Sequence, residues 1–302
     1  MEEKGPANNK IANYIKMNFV ENLNPELGNI RFRNININKE GSLQIYNELK
    51  NKDDFIITID DCKFTCDLSL IIRLVQEANV VKLIIFPSIK CSFADKIEII
   101  KINNKLKMLS ITVKFNSASK VNEFFNVLAI NKTIKTFDII LLVNFSKYSK
   151  CELQKAMENM LKNNKEIEKM NVRIMISSRG SKECFNCFVE TFIECNTFNN
   201  TMTKLDIYIE YDIGPEPDLS LLSDMIKTNT SLRELKICIS PDKYLDTLNS
   251  IIDGLKENGS LTILKIYCIQ INIKDRCPEK FTEIEELLER NRQPMVKSAG
   301  KR

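Results

Sequence analysis

The segment NTSLRELKICI at 229–239 returns 29 residues later as NGSLTILKIYCI at 258–269, with Leu235 and Leu264 in equivalent places. Each copy sets Asn six residues before this anchor, an apolar residue three before it and another two after it. The same frame fits seven further anchors upstream: Ile30, Ile57, Leu83, Leu109, Phe137, Met170 and Leu205. The intervals along the series of nine are 27, 26, 26, 28, 33, 35, 30 and 29. The residue two after the anchor is apolar in every unit, from Phe32 and Ile59 to Ile237 and Ile266, while the apolar residue three before fails only at Asp54 and the Asn slot only at Glu77. A repeat kept in phase this long restricts the chain to folds in which one small supersecondary unit stacks on copies of itself.

Within a unit the hydrophobic period changes. Around the anchor the alternation L-x-I, rich in β-branched residues, predicts a short strand with one face inward. Upstream of the Asn, apolar residues recur three and four apart, as in Leu245, Leu248, Ile251, Ile252 and Leu255, or Leu221, Leu222, Met225 and Ile226, which predicts one stripe of an amphipathic helix. A strand and a helix cannot bury their own apolar sides, so neighbouring units must share a continuous core. The Asn falls where helix turns to strand, a place suited to a residue that tolerates left-handed backbone and bonds nearby backbone groups.

These residues resemble the leucine-rich repeat, and the period resembles its ribonuclease-inhibitor-like subclass. The resemblance covers about residues 24–292 and implies an α/β solenoid, a horseshoe or arc of about nine repeats with a concave parallel sheet and convex helices. It departs from the family five residues after the anchor, where Asn or Cys often ties the turn. Here only Cys62 fits, so the turns after the strands are expected to be irregular, with longer loops near Lys147 and Ser178. The expected organisation is a tail and capping helix over 1–23, repeats over 24–278, a closing helix over 279–293, which resembles the one ending tropomodulin-type repeats, and a flexible tail over 294–302.

The composition excludes several functions. With no histidine, Ser-His-Asp and Cys-His machinery and histidine metal sites are out of reach. No paired carboxylate or lysine site stands in for them, and the expectation is a protein that is not an enzyme and takes no cofactor, metal or small-molecule ligand. Gly254-LKEN-Gly259-Ser260 has phosphate-loop glycine spacing but lacks its lysine, and it lies on a recurring helix-to-strand junction. Cys184 and Cys187, a C-x-x-C pair with Cys195 beyond it, are read as packing thiols of a helix, with redox chemistry or zinc as the alternatives. Ten cysteines and no signal-like start in MEEKGPANNK point to free thiols in a reducing compartment, cytoplasm or nucleus. The net charge of +4, spread without a basic stripe, argues against nucleic acid, and no apolar run is long enough for a membrane. Of five Asn-X-Ser/Thr triplets, those at Asn131, Asn199, Asn229 and Asn258 belong to the repeat; the fifth is at Asn144.

Function is then expected from strand residues that point away from the core. Positions one before, one after and three after the anchor should line up in rows across the sheet. Toward the C-terminus they gather Lys204, Asp206, Tyr208, Glu234, Lys236, Lys265 and Tyr267, with Arg173 beside them; in the middle, Ile84, Phe86 and Ile140 are expected as exposed apolar residues. Aromatic residues ringed by charge suit a protein interface. The expectation is a scaffold that binds another protein, mainly through this concave face. The alternatives are an actin-associated tropomodulin-like cap and a GTPase regulator resembling the Ran GTPase-activating protein, for which Arg31 and Arg33 are the one suggestive basic pair.

Overall fold

The computed structural model describes residues 29–33, 36–37, 43, 46–47, 55–60, 63–64, 72–73, 80–85, 92–102, 105–143, 150–176, 182–210, 219–239, 243–268 and 272–293. The strands are β1 (Asn29–Arg33), β2 (Asn36–Ile37), β3 (Phe55–Asp60), β4 (Lys63–Phe64), β5 (Val80–Ile85), β6 (Met108–Phe115), β7 (Thr136–Val143), β8 (Lys169–Ile176), β9 (Lys204–Glu210), β10 (Glu234–Ile239) and β11 (Ile263–Cys268). Strands β2 and β4 form a small parallel pair, and the other nine form one parallel sheet in sequence order. Every anchor faces the next across the sheet: Ile30 meets Ile57, Ile57 meets Leu83, and so on to Leu235 and Leu264. One register shift interrupts the series, between Phe55 and Ile56 where β3 meets β5.

Parallel neighbours need a crossover, and crossovers of one hand between strands in sequence order place every helix on the same side of the sheet. The helices are α1 (Phe93–Ile102), α2 (Ala118–Ile130), α3 (Lys150–Asn163), α4 (Lys182–Cys195), α5 (Leu221–Thr228), α6 (Tyr244–Glu257), α7 (Ile273–Arg276) and α8 (Pro278–Arg292), with a 3-10 turn over Asn196–Phe198. From α1 to α6 each packs on the next, and α8 packs on α6. The architecture is thus a leucine-rich-repeat-like α/β fold, a single parallel sheet alternating with helices. The helical stripes hold with one exception: Leu245 is 44% exposed, and Thr247 takes the buried place on α6.

Strands β6, β7 and β8 run to eight residues each, longer than the L-x-I core. Their alternation continues inward through Val113, Leu141 and Ile174, and Phe115 and Val143 extend the buried series further. Phe115 meets Phe124 edge-on at 5.5 Å between ring centres and reaches Phe188 of α4 at 6.1 Å. Full burial of each ring contributes about 1.5–3 kcal/mol. The C-terminal unit is less covered: Leu264 and Ile266, expected in the shared core, are only half-buried, because β11 has one neighbour among the described strands.

The asparagines form a ladder between units. The side-chain oxygen of Asn229 accepts the backbone N–H groups of Ser231 (3.0 Å) and Leu232 (2.8 Å). Its amide donates to the carbonyls of Asn196 (3.0 Å) and Asn199 (3.1 Å) in the preceding unit. Asn131, Asn164, Asn199 and Asn258 repeat this scheme, each receiving two N–H groups of its own turn and donating to a carbonyl one unit back. The left-handed expectation is corrected: φ and ψ are −67° and 131° at Asn131, −80° and 131° at Asn199, −77° and 111° at Asn229, and −83° and 134° at Asn258. The Asn is itself extended, and its side chain closes the bend that follows it before the strand begins. Helix α8 ends the ladder, where Arg290 donates to the carbonyls of Leu255, Lys256 and Asn258, and Asn291 to that of Leu261. The expected opening helix, the terminal tails and most turns after the strands lie outside the described residues.

Candidate functional site

The side of the sheet away from the helices carries the predicted rows. One after the anchor, Asp138, Asn171, Asp206, Lys236 and Lys265 pair in register from β7 to β11. Three after it, Thr112, Ile140, Arg173, Tyr208, Cys238 and Tyr267 do the same from β6 to β11. One before it, Lys169, Lys204, Glu234 and Ile263 form a third row. Strand spacing of about 4.8 Å puts each side chain in reach of its row neighbours.

Charge in these rows is largely paired within the face. Lys236 Nζ lies 3.1 Å from Asp206 Oδ2 and 3.4 Å from Glu234 Oε1, and Lys204 Nζ lies 3.2 Å from the same Glu234 oxygen. Burial works against the charge on Lys236, but its hydrogen bonds to Asp206 and Glu234 more than offset this, and its pKa rises. Burial likewise opposes the Glu234 carboxylate, yet Lys204 and Lys236 hold its pKa below the ordinary value. Asp206 is only 7% exposed, so the lysine that covers it also shields it. Arg173 Nε sits 3.3 Å from Glu210 Oε1, with its guanidinium 5.9 Å from the centre of the Tyr208 ring. Burial first, and Asp206 second, raise the Tyr208 hydroxyl pKa.

The structure therefore brings Arg173, Lys204, Asp206, Tyr208, Glu234, Lys236, Lys265 and Tyr267 onto four adjacent strands, and Tyr267 stands 45% exposed at the outermost one. Cys238, between the two tyrosines in its row, is buried although its position points off the core. Ile140 lies two strands from Tyr208, and it and Ile84 are half-buried rather than exposed, a correction whose cause is the flanking row neighbours, Thr112 and Arg173 in the case of Ile140. Phe86 lies outside the described residues. Lys169 fills the predicted place one before its anchor on β8, though it was not singled out, and sequence reasoning missed Glu210, which joins the face five after the anchor because β9 continues its alternation that far.

The other candidate chemistries take structural places. Cys184 and Cys187 lie in the first two turns of α4, the former buried, and burial pushes the Cys195 thiol up to about 12 as its Sγ points at the Gln154 carbonyl, 3.8 Å away. Among the described residues no three Cys, Asp or Glu side chains gather as a metal site. Gly254 of the phosphate-loop-like stretch is inside α6, where a Cβ would stand 2.7 Å from the Ser223 carbonyl oxygen and 2.9 Å from Ile226 Cβ of α5. The glycine is there for close helix approach. Among the described residues no helix is long and apolar enough to cross a membrane.

No protein-family model matches the chain, and no curated protein matches it. Among solved structures it is similar to the actin-binding site 2 of leiomodin-1, at 20% identity over 66% of this chain and 90% of that one, with a TM-score of 0.34.

Proposed function

We propose that this chain is a non-catalytic scaffold that binds another protein through the open face of its sheet, near the C-terminal strands. In this reading about nine ribonuclease-inhibitor-like repeats curve so that the sheet lines the concave side. The observation that carries the proposal is the alignment of Tyr208 and Tyr267 in one register row, flanking buried Cys238 and standing beside the Lys204–Glu234–Lys236–Asp206 ion network. Tyrosines present large, stiff contact area at small entropic cost, and a network that holds its own charges in place is pre-organised to exclude water around them. Hydrogen exchange of the chain with and without a partner recovered from its native cell tests this. Slowed exchange is expected in β9, β10 and β11 and not in α2 to α6; protection confined to the helices would overturn it.

A further inference from the structure

On the open side of the last four strands stand three acids, Asp206, Glu210 and Glu234, and five bases, Lys169, Arg173, Lys204, Lys236 and Lys265. Each acid is already held by a base of the same face: Asp206 by Lys236, Glu234 by Lys204 and Lys236, and Glu210 by Arg173. Lys169 and Lys265 have no ion-pair partner within 4.0 Å among the described residues. Lys265 is exposed, and Tyr267, two residues on along the same face of β11, is exposed with it. What this surface lacks is negative charge, and it lacks it beside an open aromatic ring.

We infer that the partner segment seated on β9, β10 and β11 is acidic and carries apolar or aromatic side chains, its carboxylate meeting Lys265 and its apolar groups meeting Tyr267 and Tyr208. This rests on the open face being the binding surface and goes further, to the chemistry of what binds. A partner of the opposite sign would meet uncompensated lysine. A single-stranded nucleic acid would use the same tyrosines, but it needs a basic groove that follows its backbone, and here three of the five bases are tied up by acids.

The test titrates the full chain with short fluorescein-labelled peptides that alternate Tyr with Glu, Gln or Lys, and with a labelled oligo-dT, following anisotropy at low salt. The Glu peptide is expected to bind at least about tenfold more tightly than the other three probes, and Lys265→Glu, with unchanged far-ultraviolet circular dichroism, to reverse the order toward the Lys peptide. Equal binding of the peptides, tighter oligo-dT binding, or an order that Lys265→Glu leaves unchanged would each overturn the inference. A second variant, Tyr208→Ala with Tyr267→Ala, separates the two levels. If charge is irrelevant but this pair abolishes binding, the partner chemistry is wrong and the surface stands; if the pair changes nothing, the surface itself is wrong.

Discussion

At the scale of single residues, the repeated Asn does two jobs from one place. Asn229 uses an acceptor and a donor at once, closing its own turn with the oxygen and joining the preceding unit with the amide. Asn229→Asp keeps the acceptor but removes the donor and sets a carboxylate against two carbonyls. With buried groups left unpaired, it should destabilise the chain by about 2–4 kcal/mol, read from the urea midpoint; a change under about 0.5 kcal/mol would contradict the ladder. Because Asn131, Asn199, Asn229 and Asn258 are buried with their amides engaged, these triplets are closed to glycan in the folded chain. A second residue carries a pH signature. Burial raises the Asp138 pKa above 3.8, with Lys82 pulling the other way. A raised folded pKa favours the neutral form, so ionised Asp138 costs stability at neutral pH and the cost disappears as pH falls below the ordinary aspartate value. Asp138→Asn should therefore raise Tm at pH 7 by about 2 °C and leave it unchanged near pH 3, in thermal melts at both values.

At the scale of elements, helix contact and strand register explain most of what could be foreseen and what could not. The anchor series was legible because a period of two within strands and a fixed phase between units leave one way to align Leu205, Leu235 and Leu264. The rows of the open face follow from the same phase, which is why Tyr208, Cys238 and Tyr267 could be placed together before any coordinates. Burial within those rows was not legible: Cys238, Asp206 and Ile140 are covered by neighbours on other strands, and spacing along one strand says nothing about the size of side chains beside it. Nor was the reason for Gly254, since glycine in a helix reads as a defect until the partner helix is known. Gly254→Ala gains helix propensity of about 1 kcal/mol but drives a methyl into the Ser223 carbonyl, 2.7 Å away, and Ile226. The clash between α5 and α6 outweighs the gain, and a net loss of about 1–2 kcal/mol is expected by chemical denaturation; a more stable variant would show that α5 yields.

At the scale of the whole molecule, stacking makes one continuous object from units that cannot fold alone, with ring-on-ring packing from Phe115 to Phe188 in the middle and α8 supplying Arg290 and Asn291 where another Asn rung would stand. On that object the open face of β8 to β11, the proposed binding surface, combines paired charge with an exposed tyrosine. The most direct measurement is the affinity of a partner, purified after recovery from the native cell, for the chain with Tyr208, Tyr267 and Lys236 all changed to Ala, compared with the unaltered chain and with a helix-side control, Glu123→Ala. Binding should weaken by about a hundredfold or more in the triple variant and hold in the control, with melting curves showing both folded. Undiminished binding by a folded triple variant would contradict the assignment of the sheet face as the binding surface.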